Sequence, residues 1–140
     1  MPPAPLPPEL ERFLAKPRPA VVGTLTADGR PVTTPCWYEW AEGGRLVLSM
    51  ETGGRRHRNL QRDPRLSLTV LGDSWYDQVS LVARAVEFRP DPEYADIDRL
   101  SMHYLGEPYE DHSYDGTTVL AEVERWQIYG DPGGAARGLM

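Results

Sequence analysis

Residues 53–65 have the sequence GGRRHRNLQRDPR and separate two apolar runs, 46–50 and 66–71, that are predicted to be strands. Five of these thirteen residues are arginines, in a chain whose formal net charge is -6. A glycine pair followed by guanidinium groups between two strands suits an anionic ligand, because the planar guanidinium group matches phosphate oxygens in pairs. The segment therefore predicts a loop and short helix between two strands, with phosphate as the first candidate ligand.

A solvated surface helix is the competing interpretation of this segment, since most charge runs lie on solvated faces. Two features favour an anion site instead. The backbone N–H groups at Gly53 and Gly54 can form a nest for an anion. The segment also begins a helix, predicted over residues 59–63, and a helix N-terminus favours negative charge by about 0.3–1 kcal/mol.

Short apolar runs separated by turn signals extend on both sides of the segment. Asp28-Gly29 and Gly43-Gly44 mark hairpin turns, because glycine adopts the positive φ that such turns require. Pro35 restricts its strand to a sheet edge or a bulge. The predicted strands are 20–26, 31–40, 46–50, 66–71, 79–88 and 117–129, and the predicted helices are 8–15, 59–63 and 92–105. Six short strands without a βαβ rhythm predict a mainly β, antiparallel barrel.

Length and composition indicate one domain. The chain has 140 residues, of which 40% are hydrophobic and 26% are charged, and these values are typical of a globular protein. Residues 9–130 are predicted to form the domain, 1–8 a flexible proline-rich arm and 131–140 a loose tail. A pI of about 5.0 argues against nucleic-acid binding. The sequence shows no long apolar run and no signal peptide. We therefore expect a cytoplasmic location and no membrane partner.

Aromatic pairs stand near the ends of three predicted strands, at 37–38, 75–76 and 126–129. Such pairs suit the core, a homodimer interface or a platform for a planar ring. Cys36 is expected to be a buried structural thiol, since free cysteine is commonly buried. The three histidines, His57, His103 and His112, do not show a metal-ligand spacing, so no metal site is predicted.

These features together resemble the pyridoxamine 5′-phosphate oxidase-like superfamily of split β-barrels. The most specific part is RHRNLQRDPR at residues 56–65, with PCWY at 35–38 and WQIYG at 126–130. The resemblance covers about residues 13–130, and within the superfamily it points to the deazaflavin (F420)-dependent reductases. It implies a six-stranded antiparallel split β-barrel with a few short helices. It also implies a homodimer with two cofactor sites at the subunit interface.

The resemblance further implies which residues bind the cofactor. Basic residues before the Asn-Leu pair contact the cofactor phosphate in such proteins, and here they are Arg55, Arg56 and Arg58, followed by Asn59. Many relatives have lysine where this chain has Arg56, and arginine keeps the charge but changes the geometry. The positions that match the ring-binding strands, with those expected from the partner subunit at the end, are Thr34, Pro35, Cys36, Trp37, Ser49, Met50, Trp75 (or Tyr76) and Trp126.

The activity that this resemblance implies is hydride transfer from reduced F420 to a small organic acceptor, such as a quinone, a tetrapyrrole or an enone. The catalytic residues stay unassigned, and the proton is expected from Tyr38, Tyr76 or water. Arg30, Arg58 and Arg62 would form an outer basic strip for the acidic tail of F420. The alternatives are an FMN-binding oxidoreductase of the same fold and a non-catalytic protein that binds a flavin or a tetrapyrrole. Oxidation of pyridoxamine phosphate itself is disfavoured, because the chain is short.

Overall fold

The computed structural model describes residues 1–132 and contains one antiparallel sheet of seven strands with three short helices. This confirms the predicted mainly β class. The strands are β1 (Ala20–Leu25), β2 (Pro31–Cys36), β3 (Glu39–Ala41), β4 (Arg45–Glu51), β5 (Arg65–Leu71), β6 (Gln78–Pro90) and β7 (Gly116–Tyr129), and the helices are α1 (Pro8–Leu14), α2 (Arg55–Arg62) and α3 (Ala95–Leu105).

The strand order β2-β1-β5-β6-β7-β4-β3 places β2 and β3 at opposite edges of the sheet. Only Trp37 and Tyr38 separate these two strands in the chain. Three steps between successive Cα atoms span at most about 11 Å, so the two edges approach each other and the sheet curls into a barrel that is split between them. Pro35 lies on the edge strand β2, as predicted.

The predicted strand 31–40 is therefore two strands, and the sheet has seven strands rather than six. The cause is Tyr38, whose side chain is fully buried. Its hydroxyl lies 2.9 Å from the carbonyl oxygen of Leu14 and 3.1 Å from that of Lys16. These contacts turn the chain inward at a position where the apolar alternation of the sequence continues without a break.

Two helices begin at different residues from those predicted. α2 begins at Arg55 rather than residue 59, because Gly53 takes a positive φ of 77° and Gly54 serves as the N-cap. α3 begins at Ala95 rather than residue 92. There the carboxylate of Asp91 accepts hydrogen bonds from the backbone N–H groups of Asp96 and Ile97, which satisfies donors that a first helical turn leaves free.

One apolar core fills the interior of the curled sheet. β5 shows the alternation clearly, with buried leucines and a valine at alternate positions. α1 and α2 add their apolar faces to the same cluster. Fully burying each such side chain stabilises the fold by about 1.5–3 kcal/mol. The core side chains from these three elements are Leu66, Leu68 and Val70 from β5, Leu10, Phe13 and Leu14 from α1, and Leu60 from α2.

Residues 1–8 differ from the flexible arm that their prolines predict, because they are hydrogen-bonded to β7. Pro3 pairs antiparallel with Arg125. The backbone N–H of Trp126 donates to the carbonyl oxygen of Pro2 at 3.0 Å, and that of Ala4 donates to Glu124 at 3.0 Å. Prolines suit such an edge, since they still supply acceptors.

The predicted loose tail, 131–140, lies largely outside the described residues, which end at residue 132. Asp131 is described, and its backbone N–H donates to Asp77 Oδ1 at 2.9 Å. Within residues 1–132, no helix combines the length and the apolar character that crossing a membrane requires.

Candidate functional site

A cleft of about 870 Å³ is lined by residues of β1, β2, β4, α2 and α3. Its volume falls within the range of about 300–1,000 Å³ that is usual for small-molecule sites. Half of the predicted cofactor-binding residues line it, namely Pro35, Cys36, Trp37, Ser49, Met50 and Arg56. The other half, Thr34, Arg55, Arg58, Asn59, Trp75 and Trp126, do not. The fold thus brings together three segments that are separate in the sequence, although the cofactor role of each residue stays a prediction.

Arg56 is the arginine of the 53–65 segment that lines the cleft. It is the second residue of α2, in the first turn, where backbone N–H groups have no partner within the helix. Among residues 1–132, no carboxylate forms an ion pair with its guanidinium group. An unpaired cation beside a helix N-terminus is an arrangement that favours an anion.

The turn that precedes Arg56 is stabilised by a hydrogen bond between two of its neighbouring residues, Gly53 and His57. The backbone N–H of Gly53 donates to Nδ1 of His57 at 2.9 Å, and His57 is buried. A side chain at Gly54 would place its Cβ 3.1 Å from the carbonyl oxygen of Glu51, which is closer than most real contacts. The glycine pair is therefore required by the turn, and the turn sets where α2 begins.

The remaining arginines of the segment face other surroundings. Arg65 forms an ion pair with Asp63 at 2.7 Å. Arg62 lies within hydrogen-bond distance of the carbonyl oxygen of Leu25 and of Asn59 Oδ1, at 3.4 and 3.3 Å. Arg55 and Arg58 are exposed on α2.

Two arginines expected in the outer basic strip already have partners. Arg30 forms an ion pair with Asp28 at 3.0 Å, and Arg62 makes the two hydrogen bonds given above.

Asn59 is buried behind the cleft rather than in its lining. Its Nδ2 donates to Thr24 Oγ1 at 3.1 Å, and its Oδ1 accepts from Arg62 at 3.3 Å. The amide therefore joins α2 to β1. A phosphate contact by Asn59 stays a prediction, while its visible role is to fix the position of the helix that carries Arg56.

Aromatic side chains form one wall of the cleft. Trp37 stacks on Tyr104 with ring centroids 5.3 Å apart, and Tyr109 meets Trp37 edge-on at 5.8 Å. Tyr114 continues the wall, with its ring centroid 6.4 Å from that of Tyr109. The sequence did not predict these three tyrosines as site residues. The available signal was the tyrosine-bearing loop that follows α3, whose position against Trp37 depends on tertiary packing.

Cys36 lines the cleft as a neutral thiol. Burial raises the pKa of its thiol to about 11, although the nearby positive charge of Arg56 acts in the opposite direction. The cysteine is therefore almost fully protonated at neutral pH, and only the thiolate is a nucleophile. Cys36 supplies a weakly polar surface to the cleft rather than a reactive group.

Two of the predicted proton donors do not line the cleft. Tyr38 was one of them, and this prediction is wrong, because its side chain is fully buried and its hydroxyl faces backbone carbonyl oxygens. Burial raises its pKa well above the ordinary value. Tyr76 is 72% exposed and Trp75 is 82% exposed in this chain. Trp126 is half-buried, and its indole N–H donates to the carbonyl oxygen of Pro3 at 3.2 Å.

Several solved structures share this fold. A protein named F420 reductase superimposes with a TM-score of 0.78 at 24% identity, over 87% of this chain and 98% of that chain. The conserved hypothetical protein Rv2991 from Mycobacterium tuberculosis gives 0.69 at 25% identity, over 90% and 85%. HupZ from Group A Streptococcus gives 0.65 at 16% identity, over 89% and 94%. Below 25% identity, such a likeness shows the fold alone.

Sequence comparison gives the family directly. No curated protein matches this chain. The family model for pyridoxamine 5′-phosphate oxidase matches residues 6–129, which is nearly all of the described chain. The match includes the strands, the 53–65 segment and the cleft residues that they position. This chain therefore belongs to the pyridoxamine 5′-phosphate oxidase family of split β-barrel proteins.

Proposed function

We propose that this protein is an oxidoreductase that binds coenzyme F420 in the cleft and passes hydride from the reduced deazaflavin to a small organic acceptor. The observation that carries the proposal is the guanidinium group of Arg56, which has no ion-pair partner within residues 1–132. It lies at the N-terminus of α2 and lines a cleft whose walls are largely apolar and aromatic. This combination fits a ligand with an anionic group at one end and a planar ring system at the other.

The lining residues fit such a cofactor by their chemistry. Arg56 and the free N–H groups of the first turn of α2 would hold the phosphate. Pro35, Cys36 and Met50 offer weakly polar surfaces to the ring. When bound, the deazaflavin supplies two-electron hydride chemistry, while the residues of the chain bind it, orient it and exclude water. The exposed Arg55 and Arg58 would meet the acidic tail of F420.

A homodimer is part of this proposal. Trp75, Tyr76 and Tyr129 are respectively 82%, 72% and 62% exposed, and exposed aromatic groups of this size are common at interfaces between subunits. A second copy that covers them would bring Trp75 to the edge of a site. The partner contribution expected of Trp126 requires a different arrangement of the arm, because its indole N–H already contacts Pro3.

FMN is the second candidate, since it also combines a phosphate with a tricyclic ring. The same guanidinium group and helix terminus suit its single phosphate, and the family bears the name of an oxidase. The structure likeness to a protein named F420 reductase, with a TM-score of 0.78, favours the deazaflavin as the first cofactor to test.

The direct test is a comparison of turnover with the two cofactors. Purified protein is mixed with reduced F420 and a quinone, and the deazaflavin absorbance is followed, with reduced FMN in a parallel reaction. Sedimentation measures the subunit number in the same sample. Faster oxidation of reduced F420 than in a protein-free control supports the proposal. If the protein accelerates the oxidation of reduced FMN but not that of reduced F420, FMN becomes the assigned cofactor. If it accelerates neither reaction, the enzymatic function is rejected.

A further inference from the structure

Hydride addition to a carbonyl-conjugated acceptor leaves negative charge on the carbonyl oxygen, so a proton donor in the cleft accelerates the reaction. Four hydroxyl groups belong to residues that line the cleft, those of Ser49, Tyr104, Tyr109 and Tyr114. Tyr104 is engaged elsewhere, because its hydroxyl donates to the carbonyl oxygen of Arg18 at 2.8 Å and accepts from the backbone N–H of Tyr38 at 3.3 Å. A serine hydroxyl such as that of Ser49 is a much weaker acid than a phenol.

Within the part of the chain that the structure describes, Tyr114 combines a free hydroxyl with a fixed backbone. Within residues 1–132, its hydroxyl has no hydrogen-bond partner, and its side chain is half-buried. The carbonyl oxygen of Tyr114 accepts a hydrogen bond from the Tyr94 hydroxyl at 3.0 Å. The carbonyl oxygen of the next residue, Asp115, accepts from the backbone N–H of Thr52 at 2.8 Å. The backbone at Tyr114 and Asp115 is thereby fixed next to the turn that leads into α2.

Tyr109 is attached to a different part of the cleft. Its backbone N–H donates to Asp98 of α3 at 2.9 Å, and its ring packs edge-on against Trp37. The position of Tyr109 is therefore set by its contacts with α3 and with the aromatic wall. The position of Tyr114 is instead set by the hydrogen bond between Thr52 and the neighbouring residue Asp115. Thr52 leads directly into Gly53 and the helix that carries Arg56. Of the two tyrosines, Tyr109 packs against Trp37, whereas Tyr114 is fixed beside the turn that precedes Arg56.

We infer that the Tyr114 hydroxyl donates the proton to the carbonyl oxygen of an enone or quinone acceptor. This inference rests on the proposed oxidoreductase function. The hydride forms a new C–H bond at the electrophilic carbon, and the π electrons of the acceptor move to its carbonyl oxygen. That oxygen takes the proton from Tyr114, whose O–H bond breaks, and water then returns a proton to the tyrosinate. The acceptor gains two electrons, and the reduced cofactor loses two.

The electrostatic surroundings keep this proton in place until it is needed. Burial raises the pKa of Tyr114 to about 12, and Tyr109, Asp111 and Asp91 act in the same direction. The phenol is therefore protonated throughout the neutral range. It becomes a donor only when a strongly basic oxygen forms beside it, as hydride addition to a conjugated carbonyl would produce.

The test compares two acceptors that differ in their need for a proton. Cyclohexenone requires a proton on oxygen, whereas the cationic dye methylene blue becomes neutral on accepting hydride alone. For Tyr114→Phe we expect kcat with cyclohexenone to fall about 100-fold, the lower end of the effect of a general acid, and kcat with methylene blue to change less than about twofold. Tyr109→Phe tests the competing hydroxyl and should lower kcat with cyclohexenone less than Tyr114→Phe does. Glu122→Gln, on the surface of β7, is the control, with an expected change below about twofold for both acceptors.

A binding measurement tests the same hydroxyl without turnover. Calorimetry with the cofactor-free protein compares 1-tetralone with tetralin, which has the same skeleton without the carbonyl group. Tyr114→Phe should weaken tetralone binding about fivefold, as expected for one lost hydrogen bond, and leave tetralin binding unchanged. Equal losses for both ligands, or for both acceptors, would overturn the proton-donor role, as would a larger effect of Tyr109→Phe. If the wild-type protein reduces neither acceptor, the proposed function itself fails and the donor role falls with it.

Discussion

The backbone N–H of Gly53 donates a 2.9 Å hydrogen bond to Nδ1 of His57, and this contact closes the turn from which α2 begins. Because Nδ1 is the acceptor, the ring proton of a neutral His57 is on Nε2. His57 is the third residue of the helix and Arg56 is the second, so the histidine fixes the turn immediately before the predicted phosphate ligand. The helix has no side-chain hydrogen bond at its N-cap, Gly54.

Substitution of His57 tests this role. In His57→Asn the amide oxygen can replace Nδ1 as acceptor, whereas His57→Leu removes the acceptor and leaves the N–H of Gly53 without a partner. We expect His57→Leu to lower the free energy of unfolding by about 1–3 kcal/mol and His57→Asn by less. Urea denaturation measures both. The His57 ring also meets Phe88 edge-on, with ring centroids 5.8 Å apart. Equal losses would show that this packing, rather than the hydrogen bond, accounts for the effect.

Asn59 gives a second stability prediction. Its amide joins α2 to Thr24 of β1 in a buried position, so Asn59→Ala leaves the Thr24 hydroxyl without this partner. The expected loss is about 1–3 kcal/mol in the free energy of unfolding. Arg58→Ala, one residue away on the exposed face, is the control and should change it by less than about 0.5 kcal/mol. A stable Asn59→Ala protein would remove the structural role assigned to this amide.

Asp96 predicts how stability depends on pH. Burial opposes its charge, but hydrogen bonds from Thr118 and Arg99 and the positive charges of Arg89 and Arg99 lower its pKa below the ordinary value. A lowered pKa means that the charged carboxylate stabilises the fold above the unfolded-state pKa, and that this contribution is lost as the pH falls through the folded-state value. Wild-type stability should therefore fall below about pH 4.

Asp96→Asn should unfold more easily at pH 7 and show a smaller decrease on acidification. Both arginine partners are nearly half exposed, so the expected loss at pH 7 is about 1–3 kcal/mol. Glu122→Gln removes a surface pair with Arg45 and is the control, with an expected effect below about 1 kcal/mol. Thermal unfolding between pH 3 and pH 7 gives the comparison. Parallel pH profiles for wild type and Asp96→Asn would contradict the assignment.

Cys36, the single cysteine of the chain, gives a probe of the cleft. With the pKa of its thiol raised to about 11, the thiolate fraction at pH 8 is small, and alkylation by iodoacetamide should be about 100-fold slower than in urea. The rate should rise steeply between pH 8 and pH 10. Bound F420 or FMN should block the reaction, since Cys36 lines the cleft. Fast alkylation of Cys36 at pH 8 in the folded protein would contradict this placement, as would an alkylation rate that bound cofactor does not change.

The sequence predicted the parts of the site that depend on local patterns. The turn residues Gly53 and Gly54 and the family motif located Arg56, and the family resemblance implied Cys36 and Ser49 as ring-binding positions. Tyr104, Tyr109 and Tyr114 were not predicted, because their approach to Trp37 depends on how α3 and the loop after it pack on the barrel. The break at Tyr38 was also missed, because burial of one tyrosine, rather than any turn residue, ends the strand.

The central claim is that Arg56 holds the phosphate of F420, and the titration of F420 into wild-type, Arg56→Ala and Arg65→Ala proteins tests it most directly. Arg65 is the matched control, since it belongs to the same segment but pairs with Asp63. We predict micromolar or tighter binding to wild type, a Kd that is weaker by about 10- to 150-fold in Arg56→Ala, equivalent to about 1.5–3 kcal/mol, and a change below about twofold in Arg65→Ala. An unchanged Kd in Arg56→Ala, or no binding of F420 to wild type, would contradict the claim.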